Sequence, residues 1–109
     1  MVTVAIDDRY AELFNMLGGT QESADLAMQR FVVEQITSKI AELKRRDAAY
    51  AKKYGMSYAS FVQNLDDIGF VEKVEAEITK IWEVDLIDWE FCHKGVRDWT
   101  QKLQSVLLG

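Results

Sequence analysis

The residues of this chain best able to do chemistry sit close together: Glu90, Cys92 and His93, with one cysteine and one histidine in all 109 residues. Glu90-Phe91-Cys92-His93 is a Glu-x-x-His. On a helix that i, i+3 spacing sets a carboxylate and an imidazole on one face, as in bundles that hold two metal ions. One chain has a single copy, so a metal reading requires a symmetric dimer, with Glu72 or Glu83 as further ligands. The apolar pattern points elsewhere. Trp89, Cys92, Val96 and Trp99 define the stripe that should be buried, which leaves Glu90 and His93 on its flank as a solvated or salt-bridged pair. The expectation is no metal and no cofactor. A lone cysteine excludes an intramolecular disulfide, and Cys92 with His93 falls short of a structural zinc site. No nucleophile–base pair and no Gly-rich phosphate loop can be recognised, so the chain is read as a non-enzyme with no catalytic residue.

Two other groups of residues suggest binding. Lys44-Arg45-Arg46 with Lys52-Lys53 could meet phosphate or an acidic protein surface, though such a run is more often a solvated helix face, here facing the acidic second half of the same chain. Trp82, Trp89 and Trp99 lie in an acidic helical stretch, where tryptophan can anchor a protein partner. The competing reading is that they fill the core of a small helical protein. It fits Trp89 and Trp99 best; Trp82, off the main stripe, is the strongest interface residue.

The elements that must position these residues are mostly helices. The chain has no proline, few glycines, 49% hydrophobic and 28% charged residues, which suits one soluble domain. Val2 to Ile6 alternates like a short strand, with Val2, Val4 and Ile6 on one face and Thr3 and Ala5 on the other. No second strand of that quality follows, so pairing with a symmetry mate would complete it. Tyr10, Leu13, Phe14 and Leu17 fall at i, i+3, i+4, i+7, and Asp7-Asp8 suits the start of that helix. Gly18-Gly19 ends it and Thr20 can cap the next. From Glu22 to Tyr54 nothing breaks a single long helix, along which Val33, Ile36, Ile40, Leu43 and Tyr50 form a seam spaced three, four, three and seven. At 1.5 Å per residue such a helix would be roughly 50 Å long and needs something to cover it. Gly55 marks its stop, Ser57 caps a helix carrying Tyr58, Phe61, Val62 and Leu65, and Asp66 to Gly69 is the following turn. Beyond Phe70 the helical rhythm resumes, and whether it runs unbroken through Trp82 to Asp85 stays open.

The strand Val2 to Ile6, the helix Tyr10 to Leu17, Gly19-Thr20 and Ala27-Met28-Gln29-Arg30-Phe31 resemble the ribbon-helix-helix family over the first 35–45 residues. The later Lys53-Tyr54-Gly55-Met56-Ser57-Tyr58 and the Trp-rich acidic end look like prokaryotic antitoxins of that layout. The resemblance implies a mainly α homodimer whose N-terminal strands pair, a dimerisation core over 1–45 and a helical extension over 46–109. It further implies an antitoxin that neutralises a small toxin through Trp82, Trp89 and Trp99 and binds its operator weakly. Thr3 and Ala5 would face the DNA groove, and backbone N–H groups near Thr20 and Gln21 would contact phosphate. Neither Thr3 nor Ala5 has the reach for bidentate base reading. The net charge of −5 also argues against a free-standing nucleic-acid binder. A dimeric helical scaffold without a DNA role is the alternative. No targeting or membrane segment is legible, and the expected compartment is the cytoplasm.

Overall fold

The computed structural model describes residues 7–109, so the strand reading over Val2 to Ile6, with Thr3 and Ala5, lies outside the described residues. The described chain is five helices: α1 (Asp8–Met16), α2 (Gln21–Tyr54), α3 (Tyr58–Asn64), α4 (Ile68–Glu77) and α5 (Trp82–Leu108). Mainly α is therefore the class, and the rhythm after Phe70 resolves into two helices. Among the described residues no helix is long and apolar enough to cross a membrane.

Local chemistry sets most of the boundaries. Asp7 caps α1 by accepting the Arg9 N–H at 2.9 Å, and Thr20 Oγ1 accepts the Ser23 N–H at 3.1 Å at the head of α2. Ser57 and Asp67 do the same for α3 and α4, through the N–H groups of Ser60 and Gly69. Gly55, at φ +72°, takes the left-handed conformation that ends α2 without a Cβ penalty. Gly19 has a different reason: a Cβ there would lie 2.2 Å from the Phe14 ring, so only glycine lets that ring cover the turn.

Packing divides the chain into two units, Met1–Glu34 and Gln35–Gly109. The division expected at 45 falls later than this one, because Ile36 and Leu43 of α2 are core residues of the second unit. In the first unit α1 buries no residue, and α1 with the start of α2 forms a helical hairpin. In the second unit Tyr54, Phe61, Val74 and Trp89 make one cluster, with Trp89 and Phe61 almost fully enclosed. The rings interlock: Tyr54 stacks on Trp89 at 5.5 Å, Phe61 lies 5.4 Å from Trp89, and Tyr58 meets its edge at 5.7 Å. Burying side chains of this size stabilises each by roughly 2–3 kcal/mol.

Candidate protein-interaction surfaces

The seam between α2 and α5 fixes which faces of the second unit remain free. Among the buried and half-buried positions of α2, Ile36, Ile40, Leu43, Asp47, Tyr50 and Tyr54 form one line spaced alternately four and three. Asp47 thus occupies a place in the seam that an apolar residue would normally fill. It is satisfied there: Trp89 Nε1 donates to Oδ1 at 2.7 Å, and His93 Nδ1 lies 3.0 Å from Oδ2. Two further aspartates of α5 meet donors of α2. Asp88 accepts from Arg46 and, at 2.6 Å, from Tyr50 Oη; Asp85 accepts from Lys53 Nζ and Tyr54 Oη, both at 2.6 Å. Residue numbers rise along α2 as they fall along α5 through these pairs, so the helices run antiparallel.

These bonds set the protonation of the groups concerned. The bond to Asp88 pushes the Tyr50 hydroxyl up to about 12, helped by burial and by the charges of Asp88 and Asp85. Burial, then the bond to Asp85, raises Tyr54. For Asp85 burial acts upward, but the Lys53 and Tyr54 hydrogen bonds and the Lys53 charge outweigh it and hold the carboxyl below its ordinary value. No polar side-chain atom is buried without a partner among the described residues.

The sequence-predicted residues separate under this geometry. Glu90 pairs with Lys94 at 2.5 Å, whereas His93 turns to Asp47, so the Glu-x-x-His pair is not brought together on one ligand. Among the described residues no group of three or more His, Cys, Asp or Glu side chains is placed to hold a metal ion. Cys92 is fully buried, and burial raises its thiol pKa. Trp89 has no accessible surface; within this fold it is the centre of the core, with nothing to offer a partner. Trp82 is half-buried, packed on Phe61 at 6.3 Å and bonded through Nε1 to Glu75 at 3.0 Å. Trp99 is half-buried beneath the Lys102 ammonium, 4.3 Å from its ring centroid. Thr20 spends its hydroxyl on the α2 cap, and Gln21 donates to Asp25 at 2.9 Å.

What remains free is apolar, and it lies on two faces. On the hairpin of the first unit Tyr10, Leu13, Leu17, Leu26 and Phe31 are each more than half exposed, and an open groove of about 660 Å³ runs between Tyr10, Phe14, Ala24, Ala27, Met28 and Phe31. On α5 of the second unit Val84, Ile87 and Phe91 are 63%, 73% and 58% exposed, at i, i+3, i+7. They form a stripe on the side away from Trp89 and Cys92, and it continues into a shallow groove bounded by Phe91, Gly95 and Trp99. This stripe was not among the residues singled out from sequence. Its i, i+3, i+7 spacing is legible in the sequence, but the stronger Trp89-Cys92-Val96 rhythm beside it masks it. Contiguous apolar faces of this kind are uncommon on monomers and mark sites of association.

Over the described residues the fold is helical, in two units with exposed apolar surface on each. Compared with protein-family models, with curated proteins and with solved structures, the chain matches none.

Proposed function

We propose that this chain is a protein-interaction module that acts as a homodimer and, more narrowly, the antitoxin of a prokaryotic toxin–antitoxin pair. The observation that carries the reading is the bare apolar surface on both units, beside a well-packed core in the second. The hairpin face is self-complementary in kind: aromatic and aliphatic side chains line a groove of a size that the same side chains of a second copy can fill. A ribbon-helix-helix dimer covers its helices in this way. The α5 stripe is left for the toxin. Val84, Ile87 and Phe91 supply the anchors, and the part of the chain from Tyr54 on, with ten acidic residues against five Lys and Arg, steers a small basic partner toward them. Trp99, at the end of the stripe, keeps the anchoring role expected from sequence, and Trp82 supports the start of α5.

DNA contact is the weaker half of the proposal. Thr20 and Gln21 already bond within α2, and Glu22 and Asp25 put negative charge where phosphate would approach. This favours, as a second reading, an interaction protein with no operator of its own.

The test is co-expression of the full chain with the product of the adjacent gene, followed by light scattering and by a gel-shift titration with the upstream DNA. The antitoxin reading expects a dimer, a stable complex and relief of growth arrest. A stable dimer that captures nothing and shifts no DNA supports the scaffold reading. A monomer at micromolar concentration overturns both.

A further inference from the structure

On the opposite edge of the α2–α5 seam lies a cleft of about 480 Å³ that none of the above explains. Ala48 and Ala51 line it from α2, small residues that leave room where longer chains would fill it. Its walls carry Lys44 from α2, His93 and Arg97 from α5, and Tyr58 from the head of α3. Neither Lys44 nor Arg97 has an ion-pair partner among the described residues; Lys39, Arg46, Lys53 and Lys94 are paired, whereas Arg45 and Lys52, outside the cleft, are also without one. The one carboxylate at the cleft, Asp47, has its two oxygens engaged by Trp89 and His93. His93 is fixed on two sides: Asp47 holds Nδ1, and the Tyr58 ring stacks on the imidazole at 4.7 Å with 29° between planes. Its Nε2 is left with no protein partner among the described residues.

We propose that this cleft binds a phosphoryl group, that of free phosphate or of a small phosphate monoester. An ammonium and a guanidinium on facing helices can share the oxygens of a terminal phosphate, the guanidinium as a fork and the ammonium as a point charge. With Nδ1 donating to Asp47, His93 presents Nε2 in a direction set in advance by Asp47 and Tyr58, as a donor to a phosphate oxygen when the ring is imidazolium and as an acceptor from the P–O–H of a monoprotonated phosphate when it is neutral. The two alanines and the Tyr58 ring give an apolar wall for the organic body of the ester, and the volume lies within the range of small-molecule sites. The phosphate belongs either to a free inorganic ion or to a compact ester such as a nucleotide; the shared chemistry is the phosphoryl group.

The test is a titration of the full chain, followed by amide and His93 ring NMR shifts, with inorganic phosphate, with adenosine 5′-monophosphate and with adenosine. Expected are saturable shifts confined to Lys44, Ala48, Ala51, Tyr58, His93 and Arg97, with either phosphate-bearing probe. Affinity should fall about tenfold for Lys44→Gln and again for Arg97→Gln, as the loss of one charge-assisted bond predicts. Both side chains are exposed, so an unchanged melting temperature accompanies that loss. Tighter binding of the nucleotide assigns the apolar wall to the ester's body, and equal binding assigns the cleft to the phosphate alone; both support the site. Shifts produced equally by adenosine, no saturation up to about 20 mM, some four orders above a micromolar ligand, or affinities unchanged in the double variant overturn it.

Discussion

Gly95 offers a direct test of how closely α5 is seated on α2. A Cβ at this position would lie 2.8 Å from Leu43 Cδ1, and Leu43 is fully buried, so its methyl has no open space into which to move. Two effects oppose each other in Gly95→Ala. Helix propensity favours alanine by about 1 kcal/mol in mid-helix. Overpacking a tight contact costs about 1–3 kcal/mol. The clash should win, giving a net loss of about 1 kcal/mol. Leu43→Ala alone should cost about 2–5 kcal/mol through transfer and cavity terms. With Leu43 truncated the clash is gone, and Gly95→Ala should then stabilise by about 1 kcal/mol through propensity. The same substitution therefore changes sign between backgrounds, with a coupling of about 2 kcal/mol. Urea unfolding of the four proteins, followed by tryptophan emission, reads this out, since all three tryptophans lie in the second unit. Leu43→Val serves as a milder partner with a smaller coupling of the same sign. If Gly95→Ala stabilises equally with Leu43 intact and truncated, the close approach of α5 to α2 is refuted.

Asp85 gives a prediction in pH. Its carboxyl is held below the ordinary value of 3.8 in the folded chain, so its stabilisation is fully present above the unfolded value and is lost as pH falls through the folded one. Asp85→Asn should cost about 1–2 kcal/mol at neutral pH, the lower end being favoured because Lys53 is partly exposed, and the difference from wild type should shrink progressively as pH falls below the ordinary carboxyl value and through the folded one; a difference that stays constant as the pH is lowered into that acid range would contradict the Lys53–Asp85–Tyr54 assignment. Cys92, enclosed and with its thiol pushed up by burial, should resist alkylation by iodoacetamide in the native chain and react as the chain unfolds; fast native labelling would place it at the surface. Gly55→Ala should destabilise by about 1 kcal/mol, since φ there is +72°, with unfolding curves as the measure. Ile87→Asp and Phe91→Asp should leave the melting temperature within a few degrees of wild type yet abolish partner capture, and retained capture would remove the α5 stripe from the interface.

Helix ends were the most legible part of this chain. Asp7, Thr20, Gly55 and Ser57 each act where residue type alone predicts, because capping is decided by a few neighbouring backbone groups. The seam of α2 was legible except at its most informative point. Its apolar rhythm breaks between Leu43 and Tyr50, and the gap is Asp47, a charged side chain that no hydrophobic pattern counts. It belongs to the seam only because Trp89 and His93, more than forty residues away, bring it hydrogen-bond partners. The break between α4 and α5 has no glycine or proline to announce it; Thr79 marks it by accepting the Ile81 N–H through its hydroxyl. The tryptophans show the converse limit. Composition says that they bury surface, but whether against their own chain or another depends on which side of α5 faces α2, and that is fixed by the aspartates between them.

Those aspartates do more than hold two helices together. Because Asp85 and Asp88 of α5 and Asp47 of α2 each face donors of the other helix, the antiparallel pair has one alignment in which all three carboxylates are answered. Sliding α5 by one turn in one direction sets Asp88 against Asp47; sliding it the other way carries Asp85 past the end of α2 at Tyr54. An inserted residue between Asp88 and Trp89 would turn everything after it by about 100°, separating His93 from Asp47 and Gly95 from Leu43 in one step. The two helices are mated like a key in its lock: a single tooth can be filed with modest loss, but a change in the length of the blade stops it from turning.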